Sequence, residues 1–139
     1  MSKKIKKIKK IKEVKSVKMH FVQDSGVYKT DNLIAVGYTK KELIKIVKKY
    51  QGHELMLKEI EKQDWDTFSG IVIESDDNKR LLYMPHYINN WEHLAIFLHE
   101  LHHLVFMIAR HHNLDDEMEA QAYLYEYLLN KITKKINAK

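Results

Sequence analysis

The sequence predicts an α+β domain in which a small β-sheet packs on a long helix carrying His99-Glu100-Leu101-His102-His103, with a second helix on its C-terminal side. Three observations lead there. Short β-rich runs occupy 17–21, 33–36 and 70–84, two long helical patterns fill most of 89–136, and no Pro-rich or Ser-rich linker or internal repeat separates them. At 139 residues the chain suits one domain with a real core. It contains no cysteine, so disulfides and thiolate sites are excluded. Any transition-metal site must be drawn from its nine histidines and its carboxylates.

Residues 1–18 hold nine lysines and one glutamate, a net +8, which leaves −3 for the rest of a chain whose total is +5. The basicity belongs to an arm over 1–16, and a single domain is expected over 17–139. Ile5, Ile8, Ile11, Val14 and Val17 recur every third residue, a spacing that drifts around an α-helix, so the arm reads as a solvated, flexible tail. Its isoleucines are separated by lysines and no apolar core of a signal peptide follows, which points to a cytoplasmic protein. The most apolar stretch, 94–109, is interrupted by the histidines and is shorter than the roughly 20 residues of a membrane span. No membrane partner is expected.

From Val17 the pattern alternates, with Val17, Met19 and Phe21 on one side of a strand, and Gly26 marks a turn. Leu33–Val36 reads as a second strand. Thr39 and Glu42 form a capping box for a helix running to Tyr50 and stopping at Gly52, and a further helix covers about 53–62. Residues 70–74 and 81–84 read as a hairpin closed by Ser75-Asp76-Asp77-Asn78 and ended by Pro85. Asn89, with Glu92 three positions on, is expected to cap the next helix, which is apolar almost all round from Leu94 to Ile108 and so reads as buried. After a break at His112-Asn113, Asp115 or Asp116 is expected to cap a last helix whose stripe Met118, Ala122, Tyr125, Leu129, Ile132, Ile136 faces the core.

His99 and His103 are four apart, so their imidazoles lie one turn above the other on one helix face. Two imidazoles so placed reach one tetrahedral zinc ion, with Glu100 beside the ion as the general base that takes a proton from an activated water. A chain of this composition holds about 0.05 such pentapeptides by chance, and polar groups buried in an apolar helix without partners cost about 1–3 kcal/mol each. A metal gives them a role. The helix-end residues His111 and His112 suit capping. His53-Glu54 begins like the motif, but Leu57 stands where the second histidine should. His102 is three residues from His99 and would fit the ion geometrically, at the cost of displacing Glu100 from its place in the pattern. Helix geometry separates Glu117 from Glu119 by about 200°, and leaves Glu119 and Glu126, seven apart on one face, both open as a third ligand.

The motif HExxH followed by a glutamate-bearing helix resembles the zincin superfamily, and within it the gluzincins. Residues 68–130, with a hairpin, HELHH, a short loop and Glu119-Ala120-Gln121-Ala122-Tyr123-Leu124, are also similar to small HExxH proteins of phages and prophages. The resemblance implies a zincin-like fold with the hairpin at the sheet edge beside the active helix, Zn2+ held by His99, His103 and Glu119, and Glu100 as catalytic base. It selects Glu119 over Glu126. The chain departs from thermolysin-like members at Tyr123, where those carry an aspartate, and it lacks the HExxHxxGxxH extension of metzincins.

The expected activity is zinc-dependent hydrolysis of peptide bonds in a peptide or protein substrate. Tyr87, His93 or Tyr123 is a candidate to stabilise the oxyanion beside the metal. The alternative is a non-catalytic, zinc-stabilised protein whose lysine arm contacts nucleic acid or another acidic partner, although no nucleic-acid-binding module accompanies those lysines.

Overall fold

The computed structural model describes residues 17–50, 53–65 and 69–137; the arm expected over 1–16 lies outside the described residues. Strands β1 (Met19–Asp24) and β2 (Asp31–Val36) flank a short 3-10 turn at Gly26–Tyr28. Helices α1 (Lys40–Val47) and α2 (His53–Glu61) follow, then β3 (Ile71–Glu74), β4 (Arg80–Met84), α3 (Trp91–His111) and α4 (Met118–Asn137). The chain is α+β. The sheet has the order β1-β2-β4-β3, so β3 is an edge strand, as the hairpin was expected to be. β1–β2 and β3–β4 are antiparallel, whereas β2–β4 is parallel, with Ile34 opposite Leu82 and Val36 opposite Met84.

A parallel pair cannot be joined by a tight turn and needs a crossover, which α1 and α2 provide. These helices cover one face of the sheet, packing Leu43, Val47, Met56 and Ile60 on Leu33, Ala35, Leu81 and Tyr83. α3 and α4 cover the other face, where Phe97, Leu101, Leu104 and Ile108 meet Ile34, Val72, Leu82 and Met84. β2 and β4 are therefore covered on both sides, which accounts for their unbroken runs of buried residues.

Local expectations fare unevenly. Both halves of the Thr39–Glu42 capping box form. The β3–β4 turn closes with Ser75 donating its amide to the Lys79 carbonyl and Asn78 at φ 64°. α3 is capped by Asn90 and not Asn89: the Asn90 side chain accepts the His93 amide at 2.8 Å. Its C-terminus is a Schellman motif in which Asn113, at φ 58°, takes the left-handed position, and the Leu114 amide donates to the Ala109 carbonyl at 2.7 Å. This turn sends the chain back along α3. α4 begins at Met118 and not at an Asp115 or Asp116 cap, and Gln121 Nε2 donates to the carbonyls of Leu114 and Asp115 ahead of it.

Two larger expectations need correction. α3 is not buried all round: His99, His102, His103, Phe106 and Arg110 share an exposed face, because the sheet covers α3 from below and α4 covers only one flank. The apolar stripe of α4 meets the core through Ile132 and Ile136, buried, and Tyr125 and Leu129, half-buried, but not at its start. The core row is Leu124, Leu128, Ile132 and Ile136, whereas Met118 is 83 % exposed and Ala122 is exposed too. Both rows end on the same isoleucines, and continuing through two leucines buries more apolar surface than continuing through Ala122.

Candidate metal centre

Leu101 and Leu104 of α3 point to the sheet and anchor the helix, so His99 and His103 are turned outward by the helical repeat. Their Nε2 atoms stand 3.1 Å apart, with the rings close to perpendicular at 78°. Glu100 lies about 100° round the axis from His99, at the border between the exposed face and the sheet. Its side chain is buried, and its Cγ lies against the backbone of Gly70, where an added Cβ would stand 3.0 Å away. Burial strips the Glu100 carboxyl of solvation and raises its pKa, an effect the neighbouring His103 and His99 partly offset. Beside the carboxyl opens a hollow of about 400 Å3 lined by Ser69, Gly70, Ala95, Ile96, His99 and Glu100.

Two zinc–nitrogen bonds of about 2.0–2.1 Å at a tetrahedral angle span an edge of about 3.3–3.4 Å, close to the observed spacing of the two Nε2 atoms. Without an ion, one neutral imidazole donates its Nε2–H to the other at the same distance. The donor set therefore fits two positions of a zinc ion. Glu119 is not brought to them. It stands on α4 about 140° round from both Leu124 and Ile132, hence on the exposed side of that helix, and Glu126 shares its exposure. Among the described residues, no group of three or more His, Asp or Glu side chains is gathered so as to hold a metal ion.

The remaining candidates are dispersed. His102 stands at the border of the exposed face nearer α4, in a groove with Val105, Met118, Gln121, Ala122 and Tyr125. Tyr87 donates its hydroxyl to the Ile136 carbonyl at 3.2 Å and so ties the end of α4 to the approach of α3. His93 stacks on His86 with ring centroids 5.3 Å apart, and Tyr123 lies beside the 3-10 turn with Val27, Tyr28 and Tyr127. None of the three oxyanion candidates lines the hollow beside Glu100. His112 is the C-cap residue of α3 through its backbone amide, and its buried Nε2 has no hydrogen-bond partner among the described residues.

No family model, curated protein or solved structure matches the chain. What the histidine pair can do follows from its own surroundings, and some of these escaped the sequence reading. Gly70, Ala95 and Ile96 give the hollow its small apolar walls, and Arg110 shares the exposed face of α3 seven residues beyond His103. That spacing was a legible signal, since seven residues is close to two helical turns. Among the described residues, no helix is long and apolar enough to cross a membrane.

Proposed function

We propose that the chain is a zinc-dependent hydrolase of peptide bonds, with His99 and His103 holding the ion and Glu100 as general base. The observation that carries the proposal is the convergence of the two Nε2 atoms at 3.1 Å beside a buried carboxyl that opens onto a hollow at the sheet edge. His99 and His103 would hold a zinc ion, which would supply Lewis acidity toward a carbonyl and toward water near neutral pH. The chain's own residues do the rest. Glu100, whose raised pKa increases its proton affinity, takes the proton of the attacking water and returns it to the leaving amine. Gly70 and Ala95 leave room for the substrate, and β3, as an edge strand, offers its outer side to an extended peptide. Glu119 keeps the role of third ligand that the resemblance gives it only if α4 presents it to the pair on metal binding. Comparing Glu119→Gln with Glu126→Gln for zinc release decides between the two acids.

The deciding experiment is metal analysis of the wild type and of Glu100→Gln, with a peptide-library cleavage assay on both. Stoichiometric zinc in both proteins is expected, with cleavage lowered by about 10²–10⁴-fold in Glu100→Gln. Protein that takes up no zinc would sink the proposal. Zinc without cleavage of any peptide would favour a non-catalytic, zinc-stabilised protein, and binding to nucleic acid that weakens steeply with salt would then be the property to measure.

A further inference from the structure

The exposed face of α3 continues past His103 to Phe106 and Arg110. Arg110 lies about 10 Å along the helix from His103 and within about 20° of it around the axis. β3 runs beside this stretch: Gly70, just before it, touches Glu100, and Glu74, at its end, accepts a hydrogen bond from Arg110 Nη2 at 3.3 Å. The segment 70–74 thus lies against α3 at both ends, with Gly70 at Glu100 beside the hollow and Glu74 at Arg110.

The charges at the far end do not cancel. Glu74 Oε2 already accepts the Nε–H of Arg80 at 2.8 Å, and Arg80 is fully buried, with Nη1 and Nη2 lacking partners among the described residues. Among the described residues, one carboxylate serves both guanidinium groups, which leaves a surplus positive charge there. Arg80 cannot present it to a ligand because it is enclosed. Arg110 can, since its side chain is 55 % exposed and lies over the Phe106 ring at 5.8 Å. Its bond to the half-buried Glu74 is long and open to solvent on the arginine side, so it can be exchanged for another carboxylate.

Resting on the hydrolase reading, we infer that Arg110 determines specificity by binding a substrate carboxylate about three residues from the bond that is cut. Three residues of extended chain span about 10 Å, the separation of Arg110 from His103 along α3. The guanidinium fork matches a carboxylate with two parallel hydrogen bonds, and Phe106 holds the fork on one side. An acidic side chain and a free C-terminus present the same group, and amidation distinguishes them.

The test uses labelled peptides of fixed length in which one Glu is walked along a neutral sequence, with Gln-substituted and C-terminally amidated counterparts. Binding to the zinc-loaded Glu100→Gln protein is read by fluorescence anisotropy, and the bond cut by the wild type is located by mass spectrometry. One Glu position, about three residues from the cut bond, is expected to bind about tenfold more tightly than its Gln counterpart. Arg110→Gln should remove this preference through KM with kcat unchanged, and Arg110→Glu should turn it toward Lys at the same position. Thermal melts like the wild type's confirm that both variants are folded. A preference that survives Arg110→Gln, or Arg110→Glu binding that ignores Lys, overturns the inference while leaving the hydrolase reading intact. If the wild type cuts no peptide, the hydrolase reading falls, and the anisotropy measurements still decide whether Arg110 selects a carboxylate.

Discussion

His102 and His103 are neighbours in the chain but stand at the two borders of the exposed face of α3. On the His103 flank the sheet ends at β3, and the helix faces solvent beside a buried carboxyl, small side chains and, farther along, a cation. On the His102 flank α4 lies alongside, and the groove between the two helices is lined mainly by Val105, Met118, Ala122 and Tyr125. About 100° of helical rotation separates the two environments. The comparison teaches that the pentapeptide alone does not define a site. What distinguishes the histidines is whether a carboxyl and a second imidazole share their flank.

Substitutions of the histidines should break this comparison with the largest effect. His99→Ala and His103→Ala are each expected to lower zinc affinity by more than the roughly 10–100-fold that loss of an outer partner costs, whereas His102→Ala should leave it close to the wild type's. Competition with a chelator measures this, and equal losses at His102 and His103 would mean that the pair is misassigned. Because both imidazoles of the pair are exposed, the metal-free fold should change by no more than about 0.5 kcal/mol in any of the three variants.

Gly70→Ala should act next, and on one flank only. Its methyl would stand 3.0 Å from Glu100 Cγ, 3.1 Å from Ile96 Cγ2 and 3.3 Å from Met84 Cγ, so the helix must give way or the carboxyl must move. A loss of about 1–3 kcal/mol is expected in denaturant melts, with kcat falling and zinc affinity held. Unchanged kcat would show that Glu100 is not tuned by this contact.

The smallest effects should come from the layer that touches neither flank. Thr39→Ala removes half of the α1 capping box and should cost about 1 kcal/mol, without altering zinc binding. Glu42, its partner, has a pKa lowered to about 2 by its hydrogen bonds to Lys18 and the Thr39 amide. A depressed carboxyl stabilises the fold above its ordinary value and loses that contribution as pH falls from there toward about 2. Glu42→Gln should flatten this part of the acid titration, and an unchanged profile would locate the acid sensitivity elsewhere.

Elements dictated by near neighbours were legible in the sequence. Thr39 and Glu42 are three apart, Ser75-Asp76-Asp77-Asn78 joins two β-rich runs, and His99 and His103 are one turn apart, so local geometry alone fixed each outcome. Properties that depend on distant packing were not. Apolar residues around α3 looked like full burial because nothing in 94–108 reveals that one flank lies at the end of the sheet. Ala122 and Leu124 competed to continue the core row of α4, and the winner depended on how α4 lies against α3. The same ambiguity covers Glu119 and Glu126, since the crossing of two helices decides which side chain reaches across. The parallel pairing of β2 with β4 left no sequence mark beyond two apolar runs, and the layer formed by α1 and α2 follows from it.

That parallel pairing also bears on the order in which the molecule assembles. The β3–β4 hairpin, α3 and α4 follow one another along the chain, so their mutual contacts close short loops. Val36 meets Met84 only after the whole α1–α2 crossover has been spanned, and such non-local pairings are slow. In a refolding experiment the histidine pair should form as soon as α3 coils, and Glu100 should lose its water when the hairpin docks. The central strands should join last and set the rate, so Leu82→Ala, which weakens the earlier docking of the hairpin on α3 as well as the pairing with Ile34, is expected to slow folding more than it speeds unfolding.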